Sequence, residues 1–147
     1  GFGLKSKRSE TQEENNMVPY GDRERHSVKD LITGSIYKVH LDPSHPLAFG
    51  YSDTYFSLKQ DDDAYLKLDR GYNVGYFQGA ATSYSGFSGK DAQEKLKDSF
   101  VFGEVPNGQG SMVYLTDDVL FRSFWENGKM FFVNSLFMVD ANVFVLD

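Results

Sequence analysis

The stretch from Gly108 to Val139, GQGSMVYLTDDVLFRSFWENGKMFFVNSLFMV, constrains the fold most. It opens on a glycine-punctuated turn. Met112 to Leu115 then has the length and the Val/Tyr content of a buried strand. Thr116, Asp117 and Asp118 follow at a good N-cap position, where a side-chain oxygen accepts from the free N–H groups of a starting helix. Beyond them Val119, Leu120, Phe121, Phe124, Trp125, Phe131, Phe132, Leu136 and Phe137 recur at helical spacing. Gly128 interrupts this run and is expected to split it into a short helix and a longer one. The unit reads as strand, capped turn and a helix whose wide apolar face packs on a sheet as core. Packing alone accounts for its aromatic residues, without a ligand.

At 147 residues the chain is long enough for one domain with a substantial core, and thirteen Phe and nine Tyr supply large buried surfaces. Residues 1–19 read as a polar, flexible lead-in and 20–147 as a single domain. The net charge of −6, with no local run of Lys or Arg, argues against a nucleic-acid partner. Without cysteine there is no disulfide framework, thiolate metal site or Cys nucleophile. No stretch reaches the roughly 18–20 apolar residues that span a bilayer, and no signal-peptide segment is seen. The chain begins with Gly rather than Met and reads as an excised piece of a longer protein.

Taken in order, Asp22–Leu31 predicts a short helix capped by Asp22 and stopped at Gly34, with His26 exposed on it. Ser35–Leu41 is dense in β-branched residues and predicts a strand, although Ile36, Val39 and Leu41 do not share one face. Asp42–Gly50 holds two prolines and must turn. Tyr55–Lys59, Tyr65–Leu68 and Tyr72–Gln78 predict strands. Ala80–Gly89 predicts a Gly/Ser loop. Lys90–Lys97 predicts a polar helix with one buried face. Ser99–Val105 predicts a strand that forms a hairpin with Ser111–Leu115. The tail 141–147, ANVFVLD, is short and apolar, either an edge strand or a docked end.

The chemical motifs are weak. Asp61, Asp62 and Asp63 lack the alternating oxygen ligands and Gly turn of a calcium loop, so a solvated turn is the simpler reading. Gly89–Lys90 lacks the upstream Gly of a phosphate loop, because Tyr84 is there, and has Asp91 where Ser or Thr is required. Ser88 follows Gly86 at the spacing of a hydrolase elbow, but Lys90 replaces the second Gly. His26, His40 and His45 have neither a Glu three residues on nor a second His at helical spacing. Carboxylate pairs for glycoside hydrolysis can be neither located nor excluded among twenty-one acidic residues.

The segments RER at residue 23, HPLAFGY, NVGYF, SGFSG, VFGE and GSMVYLTDDVLFRSFWENGKMFFVNSLF together resemble the C-terminal region of large zinc carboxypeptidase-family proteins, chiefly from Bacteroidetes. The resemblance covers roughly residues 20 to 139, and its last portion is the most specific. It implies a degenerate class I glutamine amidotransferase-like domain, flavodoxin-like in fold. The expected fold class is therefore α/β or α+β: an incomplete flavodoxin-like sheet, a hairpin-rich insertion and a C-terminal aromatic helix. The family's zinc ligands lie in an upstream peptidase domain, and its amidotransferase relatives use a cysteine that this chain lacks. The resemblance thus implies that this segment holds no catalytic residue, cofactor or metal, and that zinc belongs to the parent metallopeptidase. It implies a periplasmic or secreted location, with the upstream peptidase domain as partner. A sheet missing its first strands would expose an edge, so a strand-exchanged homodimer is also expected.

Two functions from different classes follow. One is a non-catalytic accessory domain that supports the peptidase or its assembly. The other is a peptide- or glycan-binding module using the aromatic 72–87 region, with Tyr76, Phe77, Tyr84 and Phe87 as its surface. Hairpin packing would explain the same rings equally well. A cryptic hydrolase built from dispersed Ser, His and Asp ranks last.

Overall fold

The structure is a computed structural model that describes residues 3–7 and 18–139. Alternation along Ser35–Leu41 (β1) sets the sheet: Ser35, Tyr37, Val39 and Leu41 are buried while Lys38 points outward. Thr54–Lys59 (β2) pairs antiparallel with β1 over its whole length, Val39 opposite Tyr55 and Tyr37 opposite Ser57. On the other edge of β1, Tyr72–Tyr76 (β3) pairs with His40 and Leu41, and Ser83–Ser85 (β4) pairs with Ile36 and Tyr37. Phe100–Asn107 (β5) pairs with β3 across two register shifts, and Gly110–Leu115 (β6) closes a hairpin with β5. The order is β2-β1-β3-β5-β6 with β4 on β1.

Among the described residues, three α-helices dress this sheet. Arg23–Lys29 (α1) precedes β1, Lys90–Leu96 (α2) precedes β5, and Glu126–Phe137 (α3) follows β6. Helix α2 sends Ala92 and Leu96 into the core, while Lys90 and Glu94 are exposed. Helix α3 supplies the central ring. Phe131 is fully buried, stacked on Phe102 at 4.3 Å and on Tyr51 at 4.4 Å, and meets Tyr55 edge-on at 5.0 Å. Aromatic pairs at such spacing add about 0.5–1.5 kcal/mol each to the burial of their surface. Gly75 makes room in β3: a Cβ there would lie 2.6 Å from the Phe102 ring.

Polar pins hold α3 along its length. Asn134 Nδ2 donates to the Leu47 carbonyl at 3.0 Å and the Phe49 carbonyl at 2.8 Å, at the short helical turn Pro46–Ala48. Tyr51 Oη donates to the Asn127 carbonyl at 2.7 Å, and Asn127 Nδ2 donates to the Phe56 carbonyl at 2.9 Å. Trp125 Nε1 donates to Tyr55 Oη at 3.2 Å.

The protein is therefore a mixed α/β fold dominated by an antiparallel sheet. The flavodoxin-like part of the expectation does not match it. Such a core needs parallel strands joined by helical crossovers, and every named pairing among the described residues is antiparallel. Several local expectations are also corrected. Tyr65–Leu68 forms no continuous strand; Tyr65 alone bridges to Ser6 and to Phe100. The aromatic run does divide into a short helical turn, Phe121–Ser123, and the longer α3, but before Glu126 rather than at Gly128. Gly128 lies inside α3, where the backbone of Val119 comes so close that a Cβ would sit 2.1 Å from its carbonyl oxygen. Asp117 is no helix cap but is bound to Lys59, while Asp118 accepts from the Leu120 N–H at 3.1 Å in the turn before α3. The face of α3 away from the sheet is exposed rather than core, from Phe132 to Phe137. The expected lead-in, 1–19, lies mostly outside the described residues, as does the tail 141–147.

Candidate functional site

The four aromatic residues expected to form a surface are not brought together. Phe77 is buried in the core, edge-on to Tyr37 at 5.6 Å. Tyr76 lies half-buried, with Lys67 Nζ 4.0 Å over its ring and His40 packed beside it. Tyr84 and Phe87 are exposed, Tyr84 tilted against Phe56 at 5.1 Å. Parity explains the division: Tyr76 and Phe77 are neighbours at a strand end and point to opposite faces.

A different site forms where the turn after β1 meets β3 and β5. A cavity of about 400 Å³ is lined by Asp42, Ser44, His45, Pro46, Tyr72, Glu104 and Pro106. Its floor is a buried pair: His45 Nε2 lies 3.2 Å from Glu104 Oε2, with both side chains over nine-tenths covered. His45 Nδ1 accepts the Leu47 N–H at 3.2 Å, so the ring proton sits on Nε2 and is donated to Glu104. Burial holds the His45 imidazole below its ordinary value against the opposing pull of Glu104 and Asp42, consistent with a neutral ring. Ser111 Oγ donates to the other oxygen of Glu104. Tyr72 forms the wall, its ring tilted on His45 at 5.0 Å and half open to solvent. Asp42 holds the turn in place. Its carboxylate accepts from Ser44 Oγ and from the Ser44 N–H at 3.0 Å, and these bonds lower its pKa.

The order of these groups decides what they can do. In a Ser–His–acid triad the histidine lies between the serine and the acid, so that the base takes the hydroxyl proton. Here the carboxylate lies between, with Ser111 and His45 both donating to it. The second serine cluster fails in the same way. Ser57 Oγ donates to Asp117, and Lys59 Nζ lies 3.1 Å from Asp117, beneath the sheet. Burial alone would lower the Lys59 pKa, but Asp117 and Asp61 raise it overall, so it stays a paired cation rather than a base. Among the described residues no group of three or more His, Asp or Glu side chains is placed to hold a metal. Asp61 and Asp62 are engaged by Lys59 at 3.4 Å and Lys95 at 2.7 Å.

Sequence reasoning named His45 only as one of three scattered histidines and missed Glu104 altogether. The one available signal was His45 before Pro46, a side chain placed to cap the turn that follows. Compared with family models, curated proteins and solved structures, the chain matches none. No helix among the described residues is long and apolar enough to cross a membrane.

Proposed function

We propose that this chain is a non-catalytic accessory domain of a periplasmic or secreted zinc carboxypeptidase-like protein, supporting its peptidase domain or its assembly. The family part of this reading comes from the residue segments quoted above. The non-catalytic part is supported by one observation: Ser57 and Ser111 each donate directly to the acid they face, without a histidine between. The parent's zinc would be held upstream, by the peptidase domain. The test is the complete reading frame, expressed with and without this domain. A zinc-peptidase motif upstream, with the peptidase losing thermal stability when this domain is deleted, is the expected result. A complete frame with no such motif would refute the parentage.

A second reading, a peptide- or glycan-binding module, is favoured by the cavity at Tyr72. An open aromatic ring above a buried acid–imidazole pair offers a ligand both a flat face and hydrogen-bond acceptors. Its centre is Tyr72 rather than Tyr84 or Phe87. Titration with peptide and oligosaccharide libraries, using the Tyr72→Ala variant as control, would detect it. Binding that survives Tyr72→Ala would rule this site out.

A further inference from the structure

The sequence holds two Asn–Gly steps, Asn107–Gly108 and Asn127–Gly128, and the fold treats them differently. Asparagine is thermolabile because the next residue's backbone nitrogen can attack its side-chain amide carbon. Glycine in the next position carries no Cβ to hinder that approach. The attack needs a nitrogen free of hydrogen bonds and a peptide able to rotate toward the side chain. Asn107 meets both conditions. It is the last residue of β5 and pairs with Gly110 across the hairpin, so Gly108 and Gln109 alone form the loop. Pro106 to Gly110 are exposed, and Gly108 has a φ of 63°. Among the described residues, neither the Gly108 N–H nor the Asn107 side-chain amide has a hydrogen-bond partner. Asn127 is exposed too, but it meets neither condition. Its Nδ2 donates to the Phe56 carbonyl at 2.9 Å, and its own carbonyl accepts from Tyr51 Oη at 2.7 Å. The Gly128 N–H donates to the Trp125 carbonyl at 3.2 Å, and Gly128 is buried against the Val119 backbone. Rotating that peptide requires α3 to leave the sheet.

We propose that Asn107 is a site of spontaneous modification, converted to aspartate and isoaspartate through attack by the Gly108 nitrogen, while the fold protects Asn127. The Gly108 nitrogen bonds to Asn107 Cγ, the Cγ–Nδ2 bond breaks, and ammonia leaves with the proton of the Gly108 N–H. Water then opens the cyclic imide. Opening at the side-chain carbonyl leaves aspartate. Opening at the main-chain carbonyl leaves isoaspartate, in which the backbone runs through Cγ. Water is the only co-reactant, and nothing is oxidised or reduced. Either product adds a negative charge next to Pro106, which lines the cavity together with Glu104. Isoaspartate also lengthens the main chain by one methylene beside the loop that fixes the β5–β6 register. This site does not depend on the family reading.

The test is peptide mapping by mass spectrometry after the purified chain has stood at mildly alkaline pH, its fold intact by circular dichroism. The peptide holding Asn107 gains the mass of an amide turned into an acid and separates into two chromatographic forms. It does so at least about tenfold faster than the peptide holding Asn127, because a hairpin tip opens at little cost and a packed helix opens only with the core. The isoaspartate form accepts a methyl group from an isoaspartate-directed methyltransferase, and Asn107→Gln removes that signal. In concentrated urea the two sites convert at similar rates, since only the fold distinguishes them. Equal rates at both sites in the folded chain would overturn the proposal. So would an Asn107 that stays intact in the folded chain while both sites convert in urea.

Discussion

Replacing Asp117 by Ala tests the buried network beneath the sheet. Its carboxylate accepts from Lys59 at 3.1 Å and from Ser57, and the side chains of Lys59 and Asp117 are each only 4 % exposed. The truncation leaves an ammonium and a hydroxyl without that acceptor. The remaining partner of Lys59 is Asp61 at 3.4 Å, itself largely in solvent. Breaking one side of such a pair costs about 3–5 kcal/mol, because the surviving charge stays buried. At about 2–4 °C per kcal/mol for a chain of this size, the melting temperature should fall by roughly 10–15 °C. The same physics requires that removing the whole network with apolar groups be cheap. The triple variant Ser57→Ala, Lys59→Met, Asp117→Leu should lie within about 1 kcal/mol of the parent, or above it. Urea denaturation read at constant m-value separates these outcomes. A loss below about 1 kcal/mol for Asp117→Ala would show that water reaches the pair, and would refute the argument. The pH dependence carries the same signature. The Lys59 pKa is raised overall, so its contribution is present below the ordinary 10.5 and is lost as pH rises through the higher folded value.

His45 is held below its ordinary 6.5 by burial, so its contribution is complete above that value and is lost as pH falls through the folded one. Urea midpoints should therefore drop as pH falls below the ordinary 6.5, and His45→Gln should flatten that slope. Gly128→Ala sets helix propensity against packing. Propensity alone would gain about 1 kcal/mol, yet the Cβ would meet the Val119 carbonyl at 2.1 Å, so a net loss of about 2 kcal/mol is expected by thermal melting. Ser99 Oγ is a buried hydroxyl without a hydrogen-bond partner, and Ser99→Ala should stabilise the chain by up to about 1 kcal/mol in urea titration.

The strands of this sheet were legible where a local signal sufficed. β-Branched density found Ser35–Leu41, and the alternation of Phe100 and Phe102 before Pro106–Asn107–Gly108 found the β5–β6 hairpin. Tyr65–Leu68 has similar apolar content, but its β-bridges are isolated ones at Tyr65, which no local pattern reveals. Asp117 and Asp118 had the chemistry of caps. A lysine from β2 reached Asp117 instead, and such long-range competition is invisible in a window of ten residues. The candidate site was the least legible part. His45 and Glu104 meet only because β3 lies between β1 and β5 and the turn after β1 folds back over them. Helix α3 was found by its spacing, but periodicity could not tell an apolar face that is covered from one that is not.

We propose that the serine, histidine and acid side chains of this fold serve structure rather than turnover. This is tested most directly by assaying the purified chain against peptide and ester substrates, with and without added zinc. Rates indistinguishable from buffer, unchanged by His45→Gln or Ser111→Ala, are the expected result. Turnover that either substitution abolishes, with the fold intact by circular dichroism, would contradict it.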